Sequence, residues 1–255
     1  NVLGERNVML GHRAGLSING GSNNVLLGYD AAYILSGSSS SNIIIGSATG
    51  NVAADINYTV VIGDNAGYQL AGTADTAADG VVLIGYRAGR LFTSGSGNVV
   101  VGNDAFYSAG ARIRNTVMGE AAMYDATTAS NNTSIGWFSL PNITTGNDNT
   151  ALGYQTGHTL TTTGRTVLIG HQAGYAINSA DADGTVAIGY QAGTAITSGQ
   201  RSTLVGYQAG DSITTGDNHV AIGGLALSST TTADASVAVG YEAMASTTGQ
   251  RNTAV

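Results

Sequence analysis

The side chains of this 255-residue chain with the most chemical potential are four histidines, a few paired aspartates, a column of arginines and a recurring aromatic. The histidines are His12, His158, His171 and His219. His12 and His171 stand just after a recurring glycine, where Tyr29, Tyr86, Trp137, Tyr154, Tyr190, Tyr207 and Tyr241 stand elsewhere. They therefore replace aromatics at a stacking position, and no second column of ligands accompanies them to hold a metal. Asp75 with Asp79, and Asp181 with Asp183, each lie beside a glycine. Calcium takes about six to eight oxygens, so two carboxylates read more naturally as turn acids. Arg6, Arg114, Arg165, Arg201 and Arg251 share one repeat position; an anionic glycan is one reading of them, and solvated turn residues or bonds to Asp are the other. No Gly-x-Ser-x-Gly elbow and no recurring carboxylate pair is present, so no catalytic residue, metal or cofactor is expected. The aromatic column is the remaining candidate. Tyr154, His171, Tyr190 and Tyr207 fall in successive repeats as a glycan-contact ladder, unless the rings stack on one another and cover small residues beneath.

Composition narrows the class. Charged residues are 10% against a usual ~25%, hydrophobic residues are 42%, and the single Pro excludes Pro-rich linkers. An ordered fold is implied. Net charge of -7 leaves no basic patch for nucleic acid or an anionic membrane. No apolar run approaches the roughly 18 residues of a membrane span, so no membrane insertion is expected. There is no Cys, and the nine cationic residues are all Arg.

The elements that position these residues come from a repeat. An apolar-apolar-Gly unit recurs at Gly11, Gly28, Gly46, Gly63, Gly85, Gly102, Gly119, Gly136, Gly153, Gly170, Gly189, Gly206, Gly223 and Gly240, and ten of the thirteen spacings are 17 residues. The longer spacings place loop insertions near 71–80 and 179–184. One residue and three residues before each glycine the chain is aliphatic or β-branched, which reads as a short strand with those two columns pointing inward. Three after it stands Ala, Thr or Ser, and seven after it an apolar residue such as Leu70, Phe92 or Ile213. Each unit thus supplies two short strands and two turns. The fold class expected is all-β, a single parallel β-solenoid (β-roll) over 1–255 of about fourteen 17-residue coils, roughly 65 Å long at ~4.8 Å per coil. Four before the glycine, Asn7, Asn24, Asn42, Asn98, Asn115, Asn132 and Asn149 would stack as an amide ladder or serve only as turn formers.

The column two before the glycine falls on the opposite strand face from its neighbours: Met9, Leu26, Ile44, Val61, Leu83, Val100 and Val117 are its large members. A stripe of that kind on a monomer would be a large exposed patch, so it is expected to be the oligomer face. The unit seen at Thr185 to Gly193 and Ser202 to Gly210 resembles the head repeat of trimeric autotransporter adhesins and the related repeats of phage tail fibres. That resemblance implies a left-handed β-roll, three chains assembled side by side, and an extracellular, cell-surface or virion location. The 17-residue period is longer than the autotransporter head repeat. The partners implied are the chain itself, as a homotrimer, and a host-surface glycan or protein. The repeat begins anew at Asn252 to Val255, so the chain reads as an excerpt of a longer one. The functional expectation is a structural segment of a fibre that spaces or presents a surface-binding tip. The alternative is an ice-binding or glycan-binding solenoid acting through its aromatics or its Thr pairs, Thr144-Thr145, Thr161-Thr162, Thr214-Thr215 and Thr231-Thr232.

Overall fold

The computed structural model describes residues 4–37, 39–54, 56–70, 78–108, 110–246 and 249–255. The protein is a parallel β-solenoid of about fourteen turns; among the described residues there is no α-helix, only a 3-10 turn at Ala180–Ala182. Two compact units divide it, Asn1–Ser130 and Asn131–Val255. In the first, the strands Val8–Leu10, Val25–Leu27, Ile43–Ile45, Val60–Ile62, Val82–Ile84, Val99–Val101 and Thr116–Met118 each pair in parallel with the next, residue for residue. In the second, Thr133–Ile135, Thr150–Leu152, Val167–Ile169, Val186–Ile188, Thr203–Val205, Val220–Ile222, Val237–Val239 and Thr253–Ala254 do the same. Within each unit a repeat position therefore sits above the same position in the next coil.

The repeat glycine ends each strand, and its φ of 132–150° lies where side chains are strained. Space forbids a side chain as well. A Cβ on Gly189 would lie 2.2 Å from the carbonyl oxygen of Gly206 in the next coil. Beside this contact runs the asparagine ladder. Asn24 donates from its backbone N and Nδ2 to Asn7 Oδ1 at 2.9 and 3.1 Å, Asn42 does the same to Asn24, Asn115 to Asn98 and Asn149 to Asn132. Asn24, Asn42, Asn98, Asn115, Asn132 and Asn149 are buried, so the ladder satisfies polar groups that water cannot reach.

Which strand face points inward is the reverse of the sequence expectation. Leu26, Ile44, Val61, Leu83, Val100 and Val117 are fully buried and form the core of their coils, while only Met9, in the first described coil, is exposed. These residues are therefore not an oligomer face. They share strand parity with the buried asparagines two residues earlier, and a strand cannot bury one and expose the other. The columns assigned inward point out: Val8, Leu10, Ile43, Val99, Met118 and Ile222 are exposed, and most of their equivalents are half-buried. The inner side is completed by the small residues after the turn, such as Ala173 and Ala209, and by Leu70, Phe92, Ile143, Ile177 and Ile213, all fully buried.

The second strand of each coil forms in part. Ile34–Ser36 pairs with Val52–Ala54, and Phe92–Ser94 with Gly110–Ala111, all in the first unit. In the second unit the equivalent chain bends too tightly for a ladder: Thr144, Thr145 and Gly146 all donate their N–H to the carbonyl of Thr161, at 2.8, 3.3 and 3.4 Å. Of the expected insertions, residues 71–77, with Asp75, lie outside the described residues, and Ser179 caps the 3-10 turn in the other.

Inside the first unit Arg112 is fully buried and has no carboxylate partner among the described residues. Its guanidinium lies 3.9 Å from the ring centroid of Phe106 and 5.3 Å from that of Phe92, and donates to the carbonyls of Ser108 and Phe106. Nε has no partner, and burial pushes the group down to about 9, so it stays charged at neutral pH at a desolvation cost. Replacing it by a neutral side chain of similar length, Arg112→Met, is expected to leave thermal stability unchanged or raise it. The inward assignment is checked by Leu204→Ala, expected to cost about 2–5 kcal/mol in denaturant unfolding.

Candidate functional site

The turn after each glycine carries the residues with chemical character, because it runs outside the core and repeats in register. Its second residue takes left-handed φ: 55° at Arg13, 53° at Arg87, and 48, 55, 53 and 51° at Gln155, Gln172, Gln191 and Gln208. This geometry turns the first residue's side chain outward along the stack, and the aromatics there meet ring to ring. Trp137, Tyr154, His171, Tyr190 and Tyr207 form one ladder with centroid separations of 4.9, 4.7, 5.1 and 5.3 Å and interplanar angles of 8–19°. His12 stacks on Tyr29 in the same way. Ring faces inside the ladder are thus taken up by neighbouring rings, and what Tyr154, His171 and Tyr190 offer to solvent is their edges. A free face exists only where stacking stops.

Two further columns complete the strip. Gln172 donates Nε2–H to Gln155 Oε1 at 3.0 Å, Gln191 to Gln172 at 3.0 Å and Gln208 to Gln191 at 3.1 Å. Five residues after the glycine a second aromatic column stands: Tyr107 stacks on Tyr124 at 4.9 Å and His158 on Tyr175 at 4.8 Å. Partial burial pushes the His158 imidazole down, favouring its neutral form. Where arginine interrupts these columns it bridges them. Arg13 pairs with Asp30 and lies over Tyr29 and Tyr33, and Arg87 pairs with Asp104 at 2.6 Å and lies over Tyr86 and Tyr107. Arg90 sits over Tyr68 and donates to the Tyr107 hydroxyl at 2.9 Å. The sequence reading missed the glutamine and second aromatic columns, although the 17-residue spacing of Tyr107 from Tyr124 and of His158 from Tyr175 is visible in the chain.

The other sequence candidates fall elsewhere. Arg6, Arg114, Arg165, Arg201 and Arg251 all occupy a left-handed turn position, φ 50–60°, on the far side of the strand. Arg165 is paired with Asp183, whose carboxylate also accepts from the N–H of Gly164 at 3.1 Å, and Arg201 donates to Asn218 at 3.1 Å. Asp79 accepts from the backbone of Asn57 at 2.7 Å, and Asp181 lies in the first turn of the 3-10 segment. These are turn contacts. Among the described residues no three His, Asp or Glu side chains gather as a metal would require. In two of the four Thr pairs one hydroxyl is spent on the neighbouring coil: Thr144 Oγ1 donates to the Thr161 carbonyl and Thr214 Oγ1 to that of Thr231, at 3.2 and 3.0 Å. No helix of the described residues is long and apolar enough to cross a membrane.

His219 belongs to none of these surfaces. It takes the place of asparagine in the buried ladder, with its N–H donating to Ser202 Oγ at 3.2 Å and its Nδ1 accepting from the N–H of Ser236 at 3.3 Å. Nε2 is buried close to the Ala233 carbonyl without a hydrogen bond of good geometry. No family model matches the chain, and neither a curated protein nor a solved structure matches it.

Burial pushes the His219 imidazole below its ordinary 6.5, the nearby Ala233 carbonyl and Asp234 opposing it more weakly. The folded chain then holds fewer protons than the unfolded chain just below that value, so stability falls as pH drops through it. Protonation would also turn Nδ1 into a donor facing the Ser236 N–H. His219→Asn restores the amide of the other coils; thermal melts as a function of pH are expected to show a smaller loss below pH ~6.5 for this variant.

Proposed function

We propose that this chain is a structural segment of an extracellular or virion fibre, in which identical chains, three by the resemblance of the repeat, pack side by side. The observation that carries this reading is the outward face of the long sheet. In both units its two columns are Val, Ile, Leu, Met or Thr at nearly every coil, as at Val167 and Ile169, Val186 and Ile188, and Val220 and Ile222. A sheet that presents apolar side chains on both faces is one that is covered on both faces. A row of this extent exceeds what monomers leave in water, and it is self-complementary because each coil repeats the last.

The rest of the chain supports the same role. The prominent ladders, of Asn, Gln and aromatic residues, spend their bonding capacity on the next coil, which suits a scaffold better than a reaction centre. The absence of Lys and the low charge leave few sites for proteases that cut at basic residues. Repeat arrays also lengthen by adding units, since each coil contacts only its neighbours.

Multi-angle light scattering is expected to return the mass of three chains. Val186→Glu combined with Val220→Glu, both outward, should dissociate the assembly while the β-sheet circular dichroism persists. A wild-type chain that is folded and monomeric would defeat the proposal.

A further inference from the structure

The ladder from Trp137 to Tyr207 lies wholly within the second unit and runs unbroken over five coils. Indole and phenol are the side chains that give up an electron most readily where no thiol competes, and this chain has no Cys. Its single Trp stands at one end of the ladder, and no Met lies between Trp137 and Tyr207. The steps of 4.9, 4.7, 5.1 and 5.3 Å, at interplanar angles of 8–19°, bring each ring face against the next. Electron transfer falls off exponentially with the gap between donor and acceptor, so touching rings are the fastest path along the stack. Both ends are open to solution, Trp137 being 39% and Tyr207 55% exposed. A side branch leaves Trp137 through Phe138 and His158 to Tyr175. It includes a 6.4 Å step, and neither of its intervening rings is readily oxidised.

We propose that this ladder is a relay for one-electron oxidation, carrying an oxidising equivalent from Trp137 through Tyr154 and over His171 to Tyr190 and Tyr207. The co-reactant is a diffusing one-electron oxidant of the class of carbonate or azide radicals. It takes one electron from the Trp137 indole and is reduced to its anion, and the indole N–H proton passes to water. Tyr154 then gives one electron to the indolyl radical, which recovers a proton from water, while the Tyr154 phenol releases its own. The step runs from indole to phenol at neutral pH because a phenol sheds its proton on oxidation and leaves a delocalised neutral phenoxyl. Imidazole is harder to oxidise than phenol, so the electron passes from Tyr190 to Tyr154 by tunnelling across the His171 ring that touches both. Tyr207 reduces Tyr190 in the same way, and as the most exposed tyrosine of the ladder it delivers its proton to water most easily. The net change is one electron drawn from Tyr207 for the one given up at Trp137, with one proton released. The radical is thereby moved off an indole, whose ring opens on further oxidation, to a phenol that reductants in solution restore.

The relay rests on stacking within one chain and not on how chains assemble. Its test is pulse radiolysis of the full chain in azide solution, since azide radicals oxidise indole in preference to phenol at neutral pH. Indolyl-radical absorbance is expected to decay as phenoxyl absorbance grows, at a first-order rate independent of protein concentration. Tyr154→Leu, which removes the next ring of the ladder from Trp137, should slow that exchange about tenfold or more, whereas Tyr175→Phe on the side branch should leave it unchanged. Spin trapping followed by peptide mass spectrometry is expected to place the adduct on Tyr207, and both His171→Leu and Trp137→Phe should lose it. Absence of the first-order exchange overturns the proposal, as does an undiminished rate in Tyr154→Leu. An adduct on Tyr207 that persists in Trp137→Phe or His171→Leu overturns it too, by showing direct oxidation. Should either leucine variant misfold, Trp137→Phe, which keeps a ring in the stack, decides.

Discussion

The distance between one coil and the next is set where the repeat glycines pass each other, and the rest of the structure depends on that contact. Any side chain on Gly189 would overlap the carbonyl of Gly206, so the backbones close to strand spacing only because both positions are bare. The buried asparagines lock the same step from the side. Each Asn Oδ1 takes both the backbone N–H and the Nδ2 of the asparagine above it, which leaves one register for the stack. A shift by one residue would turn every buried amide toward solvent and every outer valine toward the core.

Once that step is imposed, each side chain meets its own kind. Aromatic meets aromatic, amide meets amide, and both are satisfied within the column. This explains why columns of tyrosine and glutamine present so little free chemistry along the turns. It also identifies where bonding capacity remains, namely where a column is interrupted. His219 interrupts the asparagines and brings a titratable group into the core; Arg112 brings a buried charge between two phenylalanines; Gly224 and Leu225 end two ladders together. The arginines that interrupt the aromatic strip are absorbed by it, since Arg13 and Arg87 find both an aspartate one coil on and a ring to cover.

The reversal of the strand faces turns on the same logic. With three consecutive apolar positions in most strands, alternation does not distinguish the inner face from the outer one. The asparagine four residues before the glycine does. An amide ladder of this kind holds best where water is excluded, and Asn42 and Ile44 lie on one strand face, so both are buried. That signal stood in the chain at every repeat with Asn, yet it acquires its meaning only when the amides are known to bond to one another rather than to their own turn.

The solenoid, the place of its coils, the glycine contact, the asparagine column and the apolar position seven residues later were all legible in the amino-acid sequence, because a period is a property of the chain and needs no distances. The tertiary structure alone decided what each column does. Val61 and Ile62 are adjacent and both aliphatic, but one is core and the other lines the surface, a matter of where the coil closes. Tyr190 and Tyr207 share a column, but Tyr190 is stacked on both faces and Tyr207, among the described residues, on one, because the next coil carries Gly224 there. The second strand illustrates the same limit: Leu35 lies in a ladder and Ile143 in a bend, although both are buried apolar residues at one repeat position, because three N–H groups converging on the carbonyl of Thr161 tighten the turn beyond what composition records.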